Sequence, residues 1–202
     1  MTGHDYDIGI IGGGAAGLTV ASGAAQLGAR TLLIEKEPAL GGDCLHYGCV
    51  PSKTLIRSAH VYHDMKHADR FGLPKVVPPP VDFSRIAERI RDVIAVIQAH
   101  DSEERFCKLG AQVAFGTVFF KNDHTVDLNG RAISAKTWVV ATGSSPAVPP
   151  IPGLREIDYI TNREIFSLKT LPGSMIVLGG GPIGIEMAQA FNRLGTAVTV
   201  VD

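Results

Sequence analysis

Apolar runs of strand length alternate with helical patterns near both ends of the chain. Residues 7–11 and 31–34 are short and apolar, and a helical pattern that stops at Gly28 lies between them. Residues 174–178 and 197–201 repeat this order around a second helical pattern. Each end therefore predicts a strand–helix–strand unit, which is typical of an α/β fold with parallel strands.

Two long helices and a proline-rich connection are predicted between these units. The first helix covers about residues 51–69. The second begins at a cap on Asp82 or Ser84 and continues to about Leu109, with an apolar stripe along one face. Residues 71–81 join the two helices, and their consecutive prolines indicate a stiff segment that lies against the domain.

Residues 112–141 contain several strand-like runs that are separated by turn residues. The pairs at 122–123 and 129–130 mark the turns, which predicts a small antiparallel meander. The last run leads into a Gly/Ser turn at 141–146, where the backbone can approach a ligand closely. The proline-rich connector at 146–152 predicts a domain boundary.

A G-x-G-x-x-G motif follows the first strand of each terminal unit. The motif glycines are Gly12, Gly14, Gly17, Gly179, Gly181 and Gly184. Such glycines allow a tight turn, close approach of a pyrophosphate and close packing of the helix on the strand. Glu35 and Asp202 end the second strand of each unit, where an acid can accept a hydrogen bond from a ribose hydroxyl. The chain is therefore predicted to carry two dinucleotide sites, and Asp202 favours NAD over NADP at the second.

Cys44 and Cys49 form a pair that is flanked by a Gly pair and by Pro51. Two cysteines alone cannot complete a four-ligand zinc site, and a structural disulfide across so short a loop would constrain the unfolded chain little. The pair is interpreted as a redox disulfide that is made and broken; the alternative is two small buried residues. Cys49 is predicted at a helix N-terminus, which favours a thiolate, and Lys53 one turn later adds positive charge. Cys107 is predicted to be an ordinary buried thiol.

Composition limits the classes of partner. The chain has 202 residues, a formal net charge of −1 and 45% hydrophobic residues, which argues against nucleic acid and acidic membranes as main partners. No apolar run is long enough for a transmembrane helix and no basic signal-peptide region precedes the first strand, so a cytoplasmic protein is expected. His60, His63 and His67 share one helical face; a solvated polar face is favoured over a metal site.

Together, these motifs resemble the N-terminal part of the class I pyridine nucleotide-disulfide oxidoreductases, a family that includes dihydrolipoamide dehydrogenase, glutathione reductase and mercuric reductase. The resemblance rests on both glycine motifs, residues 44–53, residues 141–143 and Glu186. It implies a Rossmann-like FAD-binding domain with an inserted meander over residues 1–150. Residues 151–202 would be the first βαβ unit of a Rossmann-like NAD(P)-binding domain, and the C-terminal dimer-interface domain would be absent.

The resemblance also implies a role for each matching residue. Cys49 would lie against the flavin and Cys44 would attack the substrate. Lys53 would lie near the flavin with Glu186 as its ion-pair partner, although Glu186 could instead be a plain surface carboxylate. The residues implied to hold FAD are Gly12, Gly14, Ala16, Gly17, Glu35, Lys36, Gly42, Asp43, Lys53, Gly116, Thr142 and Gly143. Those implied to hold the nicotinamide cofactor are Gly179, Gly181, Gly184 and Asp202.

The implied activity is electron transfer between NAD(P)H, FAD and the Cys44–Cys49 disulfide. The substrate would be a small-molecule or protein disulfide or dithiol, or Hg²⁺, and a full-length relative would be a homodimer. Asp43 stands where the family usually has Thr, and His46-Tyr47 replaces the common Asn-Val, so the substrate choice stays open. His46 could be an acid–base group or could fill space. Because family members are more than twice as long, the alternative is a truncated, non-catalytic FAD- or nucleotide-binding fragment.

Overall fold

The computed structural model of this chain describes residues 3–202. Its strands are β1 (Tyr6–Ile11), β2 (Thr31–Glu35), β3 (Ala111–Phe115), β4 (Val118–Asn122), β5 (Thr125–Leu128), β6 (Arg131–Val140), β7 (Ser174–Leu178) and β8 (Ala197–Val201). Its α-helices are α1 (Ala15–Gln26), α2 (Gly42–His46), α3 (Cys49–Lys66), α4 (Phe83–Gln98), α5 (Glu103–Lys108) and α6 (Pro182–Leu194). Short 3-10 helices occur at Ala68–Phe71, Leu154–Glu156 and Ile165–Ser167. This mixed α/β architecture confirms the predicted fold class.

The chain forms two compact units. The first contains the residues up to His46 together with Ala95–Val148, and the second contains Tyr47–Ile94 together with Pro149–Asp202. The break between Val148 and Pro149 falls close to the boundary that the proline-rich connector predicts. The assignment of residues 1–150 and 151–202 to two cofactor domains stays a prediction.

The first unit is built on a six-stranded sheet with the order β3-β2-β1-β6-β5-β4. β1 pairs in parallel with β2 and with β6, and β2 pairs in parallel with β3. β4, β5 and β6 form the antiparallel meander. The long strand β6 belongs to both parts, because residues 131–134 pair with β5 and residues 135–140 pair with β1.

The placement of β3 corrects one expectation. Residues 113–115 were expected in the antiparallel meander, but β3 extends the parallel part of the sheet beside β2. Helix α5 lies immediately before β3. A helical connection of this kind returns the chain to the starting end of the sheet, so the strand that follows it runs parallel to its neighbour.

Both faces of this sheet are covered by apolar side chains. Ile10 and Leu33 pack on one face with Leu18 of α1 and Phe106 of α5. On the other face, Ile11, Leu32 and Ile34 pack with Val126 and Ile133 of the meander. The alternation follows from the period of two along a strand, and it explains why β2 is buried along its whole length.

The second unit is centred on contacts between helices. Leu55 and Ala59 of α3 pack with Met187 and Phe191 of α6, and Phe83 of α4 joins the same core. In the chain, β7 precedes α6 and β8 follows it, and the two strands pair in parallel, as predicted. The second strand–helix–strand unit therefore has the predicted order.

Three other expectations in the helical region are wrong in detail. The helix predicted to reach Leu109 ends at Gln98, because the chain turns and Ser102 caps α5 by accepting a hydrogen bond from the backbone N–H of Arg105 at 3.3 Å. Cys107 lies on the outer side of α5 and is exposed, not buried. Most of residues 71–80 are exposed, and only the end of the 71–81 segment lies against the domain, where the Pro79 carbonyl accepts a hydrogen bond from the Tyr62 hydroxyl at 2.9 Å and Val81 packs on the core.

No helix within residues 3–202 combines the length and the apolar character that a membrane span requires. The same residues contain no group of three or more His, Cys, Asp or Glu side chains placed to hold a metal ion. The rings of His63 and His67 stack with their centroids 4.2 Å apart, and burial together with the neighbouring His67 lowers the pKa of His63.

Candidate functional site

The first unit gathers its predicted site residues at one edge of the sheet. Four strands run parallel there, so their carboxyl ends meet, and Gly12, Glu35, Gly116 and Ala141 lie at these ends. The backbone N–H of Gly116 donates to the carbonyl of Glu35 at 2.8 Å. That of Ala141 donates to the carbonyl of Ile11 at 2.8 Å. This edge is where ligands bind in open α/β sheets.

The positions of the first motif require a glycine for different reasons. A Cβ on Gly17 would collide with the carbonyl oxygen of Gly12, and one on Gly12 would collide with that of Ala141. These two glycines are therefore required by packing. A Cβ on Gly14 would come no closer than 3.6 Å to its nearest neighbour, the Cα of Gly42. Since packing does not require Gly14, its missing side chain leaves open the space in front of the N-terminus of α1.

The second motif also contains one glycine that packing requires and one that leaves space open at a helix N-terminus. A Cβ on Gly184 would collide with the carbonyl oxygen of Gly179. A Cβ on Gly181 would meet nothing within 4 Å, and Gly181 is the residue immediately before α6. Neither α1 nor α6 has a side-chain cap on its first N–H groups. Both helix N-termini therefore offer backbone donors and an open approach, which suits a phosphate.

The acid at the end of the second strand holds the glycine loop in each unit. Glu35 Oε2 accepts a hydrogen bond from the backbone N–H of Gly13 at 2.6 Å, and Asp202 Oδ1 accepts one from Gly180 at 2.7 Å. The separation is 22 residues in both cases. Sequence reasoning assigned no role to Gly13 and Gly180, although the equal spacing of the two acids was visible.

The two acids differ in their surroundings. Glu35 is buried, and its Oε1 accepts a second hydrogen bond, from the backbone N–H of Glu37 at 2.8 Å. Asp202 is exposed. A carboxylate has about four lone-pair sites, so both side chains keep capacity for a further donor such as a ribose hydroxyl.

The segment before Cys44 is pressed against the first glycine loop. The backbone N–H of Gly41 donates to the carbonyl of Gly13 at 2.8 Å, and Gly42 has a φ of +57° with its Cα close to Gly14. Glycine is needed at Gly42 because a Cβ would lie 2.6 Å from the Cα of Gly14. Cys44 follows on the short helix α2 and is half-buried.

His46 contacts the turn that leads into α2. Its Nε2 lies 3.1 Å from the carbonyl oxygen of Leu40, which also accepts a hydrogen bond from Gln98 Nε2 at 3.0 Å. A ring nitrogen beside a carbonyl acts as the donor. His46 therefore helps to hold this turn, whether or not it also exchanges protons.

The remaining predicted FAD residues of the first unit lie at the surface. Ala16, Lys36, Asp43, Thr142 and Gly143 are all exposed. Gly143 has a φ of +69°, a conformation that favours glycine and shapes the turn after β6. These residues are open to a ligand at the sheet edge, and their contacts with FAD stay predictions.

The second unit contains Cys49, Lys53 and Glu186. Cys49 is exposed and is the first residue of α3, as predicted. One turn later, Lys53 Nζ lies 2.5 Å from Glu186 Oε2 on α6. The expected ion pair therefore forms, and Glu186 is not an unpaired surface carboxylate. A groove of about 250 Å³ runs beside the pair between α3 and α6, with His60 and Arg193 also in its lining.

Comparison with known proteins places these features in a family. A model of the pyridine nucleotide-disulphide oxidoreductases matches residues 6–202. The dihydrolipoyl dehydrogenase of Acholeplasma laidlawii is 38% identical over 202 residues, which cover 98% of this chain and 60% of that protein. The mercuric reductase of Bacillus cereus is 36% identical over 98% of this chain and 31% of that protein.

A solved structure agrees with these sequence matches. The HOCl-induced flavoprotein disulfide reductase RclA from Escherichia coli superposes with a TM-score of 0.83 at 31% identity, covering 98% of this chain and 42% of that one. The chain thus spans between 31% and 60% of the length of these relatives. The matched region includes both glycine loops and the cysteine pair, so this chain belongs to the pyridine nucleotide-disulphide oxidoreductase family.

Proposed function

We propose that this chain is the FAD- and NAD-binding part of an enzyme that moves electrons between a nicotinamide dinucleotide, FAD and a Cys44–Cys49 disulfide. The observation that carries the proposal is the ion pair of Lys53 with Glu186. It connects the helix that begins with Cys49 to the helix that follows the second glycine loop. Both helices pack in the core of the second unit, so Cys49 and the second glycine loop stand at the ends of elements that contact each other.

The first glycine loop fits the pyrophosphate of FAD. The open space at Gly14 and the uncapped N-terminus of α1 supply room and backbone donors. Glu35 would accept a hydrogen bond from a ribose hydroxyl. Gly116, Thr142 and the other residues at the sheet edge would line the rest of the cofactor. When bound, FAD supplies a carrier that accepts a hydride and returns two electrons to a disulfide.

The cysteines carry the exchange with substrate. The Cys44 thiolate attacks a substrate disulfide, forms a mixed disulfide and releases one substrate thiolate. The Cys49 thiolate then attacks Cys44 Sγ, which releases the second substrate thiolate and closes the Cys44–Cys49 disulfide. The substrate gains two electrons and the pair loses two. The N-terminus of α3 and the charge of Lys53 stabilise the Cys49 thiolate during these steps.

The second glycine loop fits NAD better than NADP. Asp202 at the end of β8 is an exposed carboxylate, which can accept from a ribose 2′-hydroxyl and repels a 2′-phosphate. The names of the relatives suggest a dithiol, a disulfide or Hg²⁺ as the substrate. We further propose that the full-length protein is a cytoplasmic homodimer.

Thiol labelling tests this proposal. The chain is loaded with FAD, treated with NADH without oxygen, alkylated and digested, and each cysteine peptide is quantified by mass. We expect Cys44 and Cys49 to take up label only after NADH, because electrons must first open their disulfide. The exposed Cys107 serves as the internal control and is labelled in both conditions. If Cys44 and Cys49 in the FAD-loaded chain are labelled to the same extent with and without NADH, the proposal is contradicted.

A further inference from the structure

Tyr47, which lies between the two cysteines in sequence, is held at two points by the turn at residues 161–164. Asn162 Nδ2 donates a hydrogen bond to the backbone carbonyl of Tyr47 at 3.1 Å. The guanidinium carbon of Arg163 lies 4.9 Å from the centroid of the Tyr47 ring, within the range of a cation–π contact. Both contacts lie within the second unit.

The turn that makes these contacts is itself well anchored. Glu164 Oε2 accepts hydrogen bonds from the backbone N–H of Thr161 at 2.7 Å and from its hydroxyl at 2.8 Å. These bonds lower the pKa of Glu164, so the carboxylate stays ionised and keeps its partners. The next residues, Ile165 and Phe166, are buried in the core shared by α3 and α6.

The contacts of Asn162 and Arg163 with Tyr47 restrict the loop between the two cysteines, because Tyr47 lies in that loop. It precedes Cys49, the first residue of α3, by two positions. Neither the Tyr47 carbonyl nor its ring takes part in thiol–disulfide exchange, so the same contacts are compatible with the open and the closed pair. Fixing a residue inside a loop reduces the conformations that the open loop can adopt, and a less flexible loop closes at a lower entropic cost.

We propose that Asn162 and Arg163 are positioning residues that hold the loop at Tyr47 and so favour closure of the Cys44–Cys49 disulfide. This inference rests on the proposed function, since it assumes that the two cysteines are the redox pair. Closure transfers two electrons from the pair to an oxidant and releases two protons. Oxidised glutathione serves as that oxidant in the test below and becomes two molecules of reduced glutathione.

The test measures the equilibrium constant for closure in the full chain. The protein is equilibrated over a range of reduced-to-oxidised glutathione ratios, quenched in acid and alkylated, and the disulfide fraction is read by mass. Asn162→Asp removes the donor at nearly constant size, and Arg163→Ala removes the cation. We expect each change to lower the constant by about three- to tenfold, the effect of losing one hydrogen bond or cation–π contact.

Two matched variants sharpen the result. Arg163→Lys keeps a cation over the ring and should remain within about twofold of wild type. Arg155→Ala removes an exposed arginine elsewhere in the second unit and should leave the constant unchanged. The thermal unfolding midpoint of every variant is measured in parallel. A purely structural role would lower that midpoint in Asn162→Asp and Arg163→Ala without changing the constant.

The outcomes separate the two proposals. If wild type forms no Cys44–Cys49 disulfide at any glutathione ratio, the proposed function fails. If wild type forms it and both Asn162→Asp and Arg163→Ala share its constant, the proposed function stands and the positioning role is refuted. A lower constant in those two variants, with Arg163→Lys and Arg155→Ala near wild type, supports the positioning role.

Discussion

Lys53 Nζ lies 2.5 Å from Glu186 Oε2, and this contact joins two helices whose residues are 133 positions apart in sequence. The two side chains are 59% and 43% exposed, so solvent screens the pair. An exposed ion pair contributes less than about 1 kcal/mol to stability. The pair holds the lysine one turn from Cys49, and the next two variants test whether this position matters for electron transfer.

Glu186→Gln should slow electron transfer, by releasing Lys53, without much change in the stability of the fold. We expect the free energy of unfolding to change by less than about 1 kcal/mol, because the pair is exposed. The rate at which NADH reduces the FAD-loaded chain should fall by about tenfold or more, because a preorganised charge beside the reacting groups is lost. Stopped-flow absorbance measures the rate and urea titration measures the stability.

The control for this change is Glu104→Gln, which breaks the exposed pair between Lys108 and Glu104 at 2.6 Å on α5. It should alter neither quantity measurably. Equal reduction rates in the Glu186 and Glu104 variants would show that the Lys53 pair has no part in electron transfer.

Replacing two glycines of the first loop by alanine should produce two different defects, one in stability and one in FAD binding. Gly17→Ala should lower the free energy of unfolding by about 1–3 kcal/mol or prevent folding, because its Cβ collides with the carbonyl oxygen of Gly12. Gly14→Ala should leave stability close to that of wild type but weaken FAD binding, because its Cβ enters the space before α1. Urea titration and quenching of FAD fluorescence measure the two effects.

Gly23→Ala is the matched control for these variants. It lies on α1, and its Cβ would meet nothing within 4 Å. Both stability and FAD affinity should be retained or slightly improved, since alanine favours a helix. FAD binding by Gly14→Ala that equals binding by Gly23→Ala would argue against a cofactor at this loop.

The roles of the two thiols can be separated by single changes to serine. With Cys44→Ser, Cys49 cannot be held in the disulfide, so its thiolate should give a long-wavelength charge-transfer absorbance with bound flavin even without NADH. With Cys49→Ser, that absorbance should be absent. Cys107→Ser is the control and should behave as wild type, because Cys107 lies on α5, outside the cysteine pair and both glycine loops. A persistent band in the Cys49 variant would reverse the assignment of the two thiols.

The contact between Asp7 and Arg30 predicts how stability changes in acid. Arg30 donates hydrogen bonds to Asp7 from its side chain at 2.9 Å and from its backbone at 3.0 Å, which lowers the pKa of Asp7 from 3.8 to about 2. Because the folded-state pKa is lowered, the contribution to stability is complete above about pH 4 and disappears as the pH falls through about 2.

Asp7→Asn should therefore lose less stability than wild type between about pH 4 and pH 2. Thermal unfolding midpoints measured across that range should converge for the two proteins at the acid end. Asp158→Asn, at an exposed carboxylate in the second unit, should keep the wild-type slope. Parallel curves for wild type and Asp7→Asn would mean that this ion pair does not form in solution.

The terminal strand–helix–strand units could be predicted because their signals are local. Each signal depends only on neighbouring residues: a glycine triplet, an apolar run, or an acid at a fixed spacing. The position of Cys49 at a helix N-terminus could likewise be predicted from the nearby Pro51. The strand β3 was misplaced because its direction depends on the helix before it. The break after Gln98 was missed because no glycine or proline marks it before Gly110.

Contacts distant in sequence explain the remaining gaps at the site. The bond from Asn162 to Tyr47 spans 115 positions, and neither residue has a motif that points to the other. The pairing of Glu35 with Gly13 was missed for a different reason, since the acid was expected to serve the ribose only. Lys53 and Glu186 could be paired in advance only through the family resemblance.

In the proposed function, FAD, the nicotinamide site and the cysteine pair work together in this chain. The most direct test is the visible spectrum of the FAD-loaded chain before and after NADH is added without oxygen. We expect a flavin spectrum that gains a long-wavelength charge-transfer band, from the Cys49 thiolate beside the flavin. A chain that retains no flavin, or a bound flavin whose spectrum NADH leaves unchanged, would contradict it.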